Sequence, residues 1–220
     1  AVPGARAGRQ LARELRARAG ERGWTGFFAP EITTPGALAD ALLPLEHAPA
    51  DRTTRTFAWE SALVNTRPEM LLRVLSRPPR RGERAAWWRV ADQVRRLHAE
   101  LAQWGHDFAA VRDRLEKHAS CPVGELRRWE ALAEIQAGWR KEMERLKLSD
   151  PHEGRLQALA AGRIDRGAQV VLVGVLEMNH LLRQALAGLD QAPRVLVFAP
   201  EEVAEGFDAV GALVTSRWEE

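Results

Sequence analysis

Cysteine, lysine and tyrosine are scarce or missing in this chain of 220 residues, which has one cysteine, three lysines and no tyrosine. The single Cys121 excludes an internal disulfide and a cysteine metal cage within the sequence. No run of about 18 apolar residues is present, so no transmembrane span is expected. The first residues also lack a signal-peptide core. These absences favour a soluble, cytoplasmic protein without membrane contact.

Motifs that carry catalytic chemistry are missing as well. The six histidines show no HxxxH or HExxH spacing, and no serine lies in a GxSxG elbow. The glycines near the N-terminus are not followed by the lysine of a GxxxxGK[ST] phosphate loop. We therefore expect no catalytic residue, no metal ligand and no cofactor in this segment.

What is present is a globular composition with many arginines. Hydrophobic residues make up 45% of the chain and the net charge is +2, which allows one large domain or two small ones. Arginine suits phosphate because its planar guanidinium donates paired hydrogen bonds. A GC-rich genome produces the same bias, so both origins stay open. A net charge this small predicts weak nucleic-acid affinity for the chain alone.

The hydrophobic period changes twice and divides the chain into residues 1–47, 48–165 and 166–220. In the first part, residues 5–19 predict a helix with one apolar and one arginine face, and residues 27–32 a short strand. Thr34 and Pro35 then predict the N-cap and first position of another helix. The opening residues resemble the end of a strand, and the chain stops without a capping signal, so we expect a piece of a longer protein.

The middle part has helix signals only. Helices are predicted around residues 57–64, from Pro68, over residues 82–104 and 107–119, from Pro122 to Leu148, and after the cap pair Asp150 and Pro151. Glu153 is expected only to complement the dipole of that last helix.

The third part predicts a βαβ unit, with apolar strands at residues 170–176 and 195–199 and a helix over residues 179–188. Such strands are normally parallel. The fold class predicted is therefore α/β, with a partial parallel sheet interrupted by a large all-helical insertion.

Two strand-to-helix turns are candidate phosphate sites. Gly4, Arg6 and Arg9 open the first predicted helix, where unpaired amides and the helix dipole attract anions. Thr33 and Thr34 open the second and could place hydroxyls beside a nucleic-acid backbone. The alternative interpretations are a tight turn with a solvated arginine face, and a simple helix cap.

Tryptophan is unusually frequent, with eight residues. Trp87 and Trp88 adjoin the arginines between residues 77 and 84 and are candidates for stacking on bases. The alternative is packing, which an aromatic residue within a helix more often indicates. We expect a core role for four others, namely Trp59, Trp104, Trp129 and Trp139.

The strand at residues 170–176 resembles one of a nucleotide-binding fold, yet its tip lacks paired acids. A magnesium-nucleotide site needs carboxylates there. Gly174 and Val175 occupy the tip, and Glu177 is the only nearby acid. ATP hydrolysis is therefore not expected.

These pieces occur in a recognisable order. Residues 2–11 resemble motif Ia of UvrD-like superfamily I helicases, in the form found in AddB-type helicase-nuclease subunits, and residues 32–38 are similar to the next motif. Residues 170–183, 194–200 and 205–208 look like the motif II strand and its successor. Where active helicases have Asp-Glu followed by glutamine, this chain has Gly174, Val175 and Glu177, a degenerate motif II.

The resemblance implies the N-terminal inactivated helicase domain of an AddB-type subunit, with a P-loop-helicase-like 1A domain and a 1B-like insertion. It further implies a role in DNA double-strand-break repair, in which the region guides DNA, pairs with an AddA-like helicase subunit and precedes a nuclease domain. Two alternatives stay open. One is an active ATP-dependent helicase whose motif I lies upstream and whose metal ligand is Glu177. The other is a helical module that only binds protein.

Overall fold

The computed structural model describes residues 1–118 and 120–218 and divides into two compact units. The α/β unit combines Ala1–Pro44 with Gly162–Glu220, and the helical unit is Leu45–Ala161. The sequence-based limits were 1–47, 48–165 and 166–220. The two boundaries between these parts lie a few residues later in the chain than the boundaries between the two units.

The described part of the chain is mostly helical, with 58% of residues in helices and one small sheet. The elements in chain order are α1 (Ala5–Glu21), α2 (Pro35–Leu42), α3 (Arg52–Val64), α4 (Pro68–Val74), α5 (Arg84–Gln103), α6 (Phe108–Glu116), α7 (Val123–Leu146), α8 (Pro151–Ala160), β1 (Val171–Val173), α9 (His180–Ala187) and β2 (Arg194–Leu196). None of these helices is long and apolar enough to cross a membrane.

The α/β unit contains the predicted βαβ arrangement. Strands β1 and β2 pair in parallel, with Leu172 opposite Val195, and α9 connects them. Helix α9 packs against α2 through apolar residues that are buried on both helices. Burial of one apolar face on each helix is the main stabilising contribution here, at about 25 cal/mol per Å² removed from water.

All three predicted strands differ from the structure, and the one expected over residues 195–199 is β2, which ends at Leu196. The strand expected over residues 170–176 ends at Val173, because Gly174 adopts a left-handed conformation with φ 61° that breaks the extended ladder. No strand is assigned at residues 27–32 in the described chain. Pro30 lacks an N–H to donate there, and Phe28 is 95% exposed.

The helical unit is built around stacked aromatic rings. Helix α3 packs against α5 and α7, and the rings of Trp59 and Trp139 stack 4.5 Å apart in the core. Both are fully buried and Trp129 packs against the same core, as the sequence predicted. The prediction for Trp104 was wrong: it follows the last turn of α5 and is 61% exposed.

Side-chain caps define several helix starts in both units. Asp107, Asp150 and Asn179 accept hydrogen bonds from backbone N–H groups in the first turns of α6, α8 and α9, which confirms the starts predicted from sequence. Asp51 caps α3 in the same way. That helix begins earlier than its apolar pattern suggested, because its first turn carries mostly polar residues.

Candidate nucleic-acid interface

Extended segments of the α/β unit lie side by side next to β1. The amine of Ala1 donates to the Val171 carbonyl, and the Val173 N–H donates to the Ala1 carbonyl at 2.9 Å. The Val2 N–H in turn donates to the Thr33 carbonyl at 2.8 Å. These bonds bring the starts of α1 and α2 to one edge of the unit. Ligands of α/β proteins commonly bind at such an edge.

The first turn of α1 is favourable for an anion. Gly4 is its N-cap, and in the described chain no side chain caps this end and no acidic residue lies in the first turn. The amides of the first turn have no intrahelical partner, and the helix dipole places partial positive charge there. Arg6 and Arg9 are exposed within the first two turns. The position therefore combines backbone donors with two guanidinium groups.

A groove of about 450 Å³ runs along this end of α1. Its lining includes Arg9, Thr33 and Thr34, so the structure brings together three of the predicted residues. Gly4 and Arg6 flank Ala5, which also lines the groove. The remaining lining is small or apolar, with Val2, Gly8, Ala12, Ile32 and Ala37.

Gly8 sets how closely α1 approaches the neighbouring segment. A Cβ atom at this position would meet the Ile32 side chain at 3.2 Å and the Val2 side chain at 3.4 Å. The contact to Ile32 is tighter than ordinary packing, so a larger residue would require a neighbouring side chain to shift by a few tenths of an ångström. Gly8 therefore permits the close approach of α1 to Val2 and Ile32.

Thr34 is the N-cap of α2 with Pro35 next in the helix, as predicted. Its hydroxyl, however, makes no capping bond to a described residue. Instead, its carbonyl accepts the Leu38 N–H at 2.8 Å. The backbone of Thr34 thus caps α2, whereas its hydroxyl is not used for capping. Thr34 also lines the groove.

The tip of β1 carries the degenerate motif II residues. Val175 is buried, Glu177 is exposed, and Gly174 donates its N–H to the Leu196 carbonyl at 2.8 Å. The left-handed backbone at Gly174 would cost a glutamate roughly 1–2 kcal/mol, whereas aspartate adopts this conformation more readily. The backbone of this tip therefore disfavours a glutamate at residue 174.

The two adjacent tryptophans have different environments in the helical unit. Trp87 is buried and its Nε1–H donates to the Arg80 carbonyl at 3.0 Å. Stacking of a base on Trp87 would require α5 to separate from the core, so packing accounts for this residue. Trp88 is 37% exposed on the other side of the helix. Of this pair, only Trp88 offers a ring face to a ligand.

A buried polar network in the helical unit was not predicted. His98 and Gln136 are fully buried, and the His98 Nε2 atom lies 3.8 Å from both Asp150 and Glu153. Glu153 also accepts the Arg140 Nε–H at 2.6 Å. The sequence showed only a dipole role for Glu153, because ion pairs between separate helices leave no pattern in local spacing.

This network serves to join helices. Arg140 bridges Glu153 and the α6 cap Asp107, and Asp150 caps α8. Burial alone would raise the pKa of Asp150, but the facing His98 ring and the Glu153 N–H hold that pKa well below its usual range. Among residues 1–118 and 120–218, no group of three or more His, Cys, Asp or Glu side chains is arranged to hold a metal ion.

No family model, curated protein or solved structure matches this chain. The resemblance to superfamily I helicases therefore rests on the residues and motifs quoted from the sequence.

Proposed function

We propose that this chain is a non-catalytic, helicase-like region of a DNA double-strand-break repair helicase-nuclease. In this role it guides a single DNA strand and supports a partner helicase subunit of the AddA kind. The observation that carries the proposal is the groove at the start of α1, where Arg9, Thr33 and Thr34 line one surface beside uncapped helix amides. Backbone amides, guanidinium groups and hydroxyls are the groups that contact phosphates.

The non-catalytic part of the proposal is supported by the tip of β1. An ATP site of this class requires carboxylates that hold magnesium. The tip has Gly174 in a left-handed conformation, buried Val175, and Glu177 exposed further along. The protein, together with any residues that precede this sequence in its gene, should show no DNA-stimulated ATP turnover. Turnover that Glu177→Gln abolishes would favour the active-helicase alternative.

The DNA-guiding part is tested by removing the two arginines at the helix start. Replacing Arg6 and Arg9 with alanine should weaken binding to single strands of mixed sequence almost uniformly. It should lower the slope of log affinity against log salt by roughly 1 to 2, because each phosphate contact on a single strand contributes about 0.7. Fluorescence anisotropy with labelled oligonucleotides at several salt concentrations measures both quantities.

The double variant Arg13→Ala and Arg16→Ala is the matched control, since both residues are exposed further along the same helix. It removes the same charge and leaves the first turn intact. Thermal stability should change little in either variant, because exposed helix substitutions usually cost less than about 0.5 kcal/mol. Equal losses of affinity in the two double variants would show that the arginine face contributes only general positive charge and no specific phosphate site. Unchanged affinity in the Arg6 and Arg9 variant would refute the site.

A further inference from the structure

The positive charge of the helical unit is concentrated in one short segment. Leu45–Ala161 contains 21 Lys and Arg against 17 Asp and Glu, a net charge of +4. Residues 77–89 contain five of these arginines and one acid, Glu83, which is also a net charge of +4. The rest of the unit is therefore neutral in total. We call residues 77–89 the arginine segment.

The arginine side chains of this segment have no carboxylate partner among the described residues. Arg77, Arg80, Arg81, Arg84 and Arg89 are exposed, and none of their side chains makes an ion pair with a residue that the structure describes. At least ten of the other thirteen arginines of the helical unit do form ion pairs with described residues. Unpaired like charges repel one another and favour an anionic partner.

The backbone of the segment is fixed before any partner arrives. Trp87 donates from its buried ring to the Arg80 carbonyl at 3.0 Å, and the Glu83 carboxylate accepts the Arg80 N–H at 2.9 Å. The Glu83 N–H closes the turn by donating to the Arg80 carbonyl at 2.9 Å. Glu83, the single acid of the segment, thus stabilises the conformation of this loop. A fixed loop loses less conformational entropy on binding.

An exposed aromatic ring stands beside these charges. Trp88 follows Arg84 by four residues on α5, so the two side chains share a helix face. Trp88 is 37% exposed. Arginines that contact phosphates next to an aromatic face that stacks a base are the combination by which proteins bind single strands.

We infer that the arginine segment and Trp88 form a second binding surface for single-stranded DNA, located in the helical unit. Arg81 and Arg84 contact phosphates and Trp88 stacks on one base. The inference shares with the proposed function the premise that this chain binds single-stranded DNA. The residues that carry it are different from those at the start of α1.

The phosphate contacts are tested with the double variant Arg81→Ala and Arg84→Ala in the whole chain. Affinity for a 20-nucleotide single strand should fall on the order of 10- to 100-fold at 50 mM salt, and the salt slope should fall by about 1.4. Arg128→Ala with Arg145→Ala is the control, because both arginines are exposed and each pairs with a glutamate on α7. An equal effect of the two double variants would overturn the inference.

The stacking contact is tested with Trp88→Ala on a normal strand and on an abasic strand of equal length. The variant should bind the normal strand roughly 5- to 100-fold more weakly and the abasic strand as well as the unchanged protein does. Trp104→Ala is the control, since Trp104 is exposed at the other end of α5. An equal loss on both strands, or a duplex bound as tightly as the single strand, would overturn the single-strand assignment.

The two sites are separable by their variants. Loss of affinity in the Arg81 and Arg84 variant with none in the Arg6 and Arg9 variant would refute the groove at α1 and support the arginine segment. The reverse result would refute the arginine segment alone. A melting curve for each variant shows that the comparison is made between folded proteins.

Discussion

The buried residue Gln136 fixes which ring nitrogen of its neighbour His98 accepts a hydrogen bond. The Gln136 Oε1 atom accepts the Phe108 N–H at 3.0 Å, so its amide nitrogen must face the His98 Nδ1 atom at 3.1 Å. The Nδ1 atom therefore accepts, and the imidazole proton lies on Nε2. That proton faces the carboxylates of Asp150 and Glu153. The uncharged Gln136 side chain thus determines which His98 nitrogen donates and which accepts in a network that joins α5, α6, α7 and α8.

Replacing Gln136 with leucine should destabilise the helical unit by about 2–4 kcal/mol. The change leaves the buried Phe108 N–H and the His98 Nδ1 atom without partners, and each orphaned buried group costs about 1–3 kcal/mol. Urea unfolding followed by tryptophan fluorescence measures the loss, because Trp59 and Trp139 lie in the same core. Gln103→Leu, at an exposed position of α5, is the control and should change stability by less than about 0.5 kcal/mol. A cost below about 1 kcal/mol for the Gln136 variant would contradict the network described.

Helix α1 carries charges near its N-terminus that interact unfavourably with the helix dipole. Acidic residues near a helix start and basic residues near its end interact favourably with the dipole. In the described structure, α1 has no acid in its first turn, while Arg6 and Arg9 lie near that end. A local conflict of this kind is typical of functional surfaces. It is consistent with an anionic ligand that supplies the missing negative charge.

The variant Arg6→Glu should therefore be more stable than the unchanged protein and should bind single-stranded DNA more weakly. An acid in the first turn should stabilise the helix by about 0.3–1 kcal/mol, while it repels phosphate from the same amides. Thermal unfolding and single-strand binding are measured on the same preparation. Arg13→Glu, in the middle of α1, should leave stability within about 0.5 kcal/mol and weaken binding less. Lower stability in the Arg6 variant would show that this arginine has a structural role.

At the scale of the whole molecule, the two units differ in net charge. The helical unit has a net charge of +4. The α/β unit has 11 Lys and Arg against 13 Asp and Glu, a net charge of −2. Within the α/β unit, residues 1–22 contain six of those arginines and two glutamates. The positive charge of each unit is thus confined mainly to one segment, and each of these segments belongs to a proposed DNA-binding surface.

Acid should unfold this protein through its paired aspartates. Burial alone would raise the pKa of Asp92, but hydrogen bonds from Arg95, Arg96 and Arg52 outweigh it and lower the pKa to about 2, from an ordinary 3.8. The folded state therefore favours the carboxylate. Its contribution is complete above pH 3.8 and is lost as the pH falls towards 2. Arg52 and Arg96 are mostly exposed, so solvent screening reduces the contribution of this pairing to on the order of 1 kcal/mol at neutral pH.

The variant Asp92→Asn checks this contribution. It should be about 1 kcal/mol less stable than the unchanged protein at pH 7, and the difference should shrink as the pH falls from 4 to 2. Urea unfolding at a series of pH values, followed by far-ultraviolet circular dichroism, measures both curves. Glu69→Gln is the control, because Glu69 is an exposed acid whose nearest basic group, on Arg67, lies 3.8 Å away. Parallel curves for the unchanged protein and the Asp92 variant would contradict the assignment.

Much of the secondary structure follows from local signals. Asp107, Asp150 and Asn179 marked helix starts because short polar side chains satisfy the first backbone N–H groups wherever they precede an apolar period. The parallel pair β1 and β2 followed from two apolar runs separated by a helix. The lengths of the strands did not follow, because the apolar pattern continues past Val173 and Leu196, where the strands end.

The candidate sites depended more on tertiary structure. Local sequence patterns were enough to locate most helix starts, the clusters of arginine, and the absence of paired acids at Gly174 and Val175. Folding was needed to show that Arg9, Thr33 and Thr34 share a groove and that Trp87 is buried while Trp88 is exposed. The same holds for the arginine segment, whose side chains have no ionic partner among the residues that the structure describes. Capping and hydrophobic period act between residues close in the chain. Burial and ion pairing are set by residues far apart in the chain that folding brings into contact.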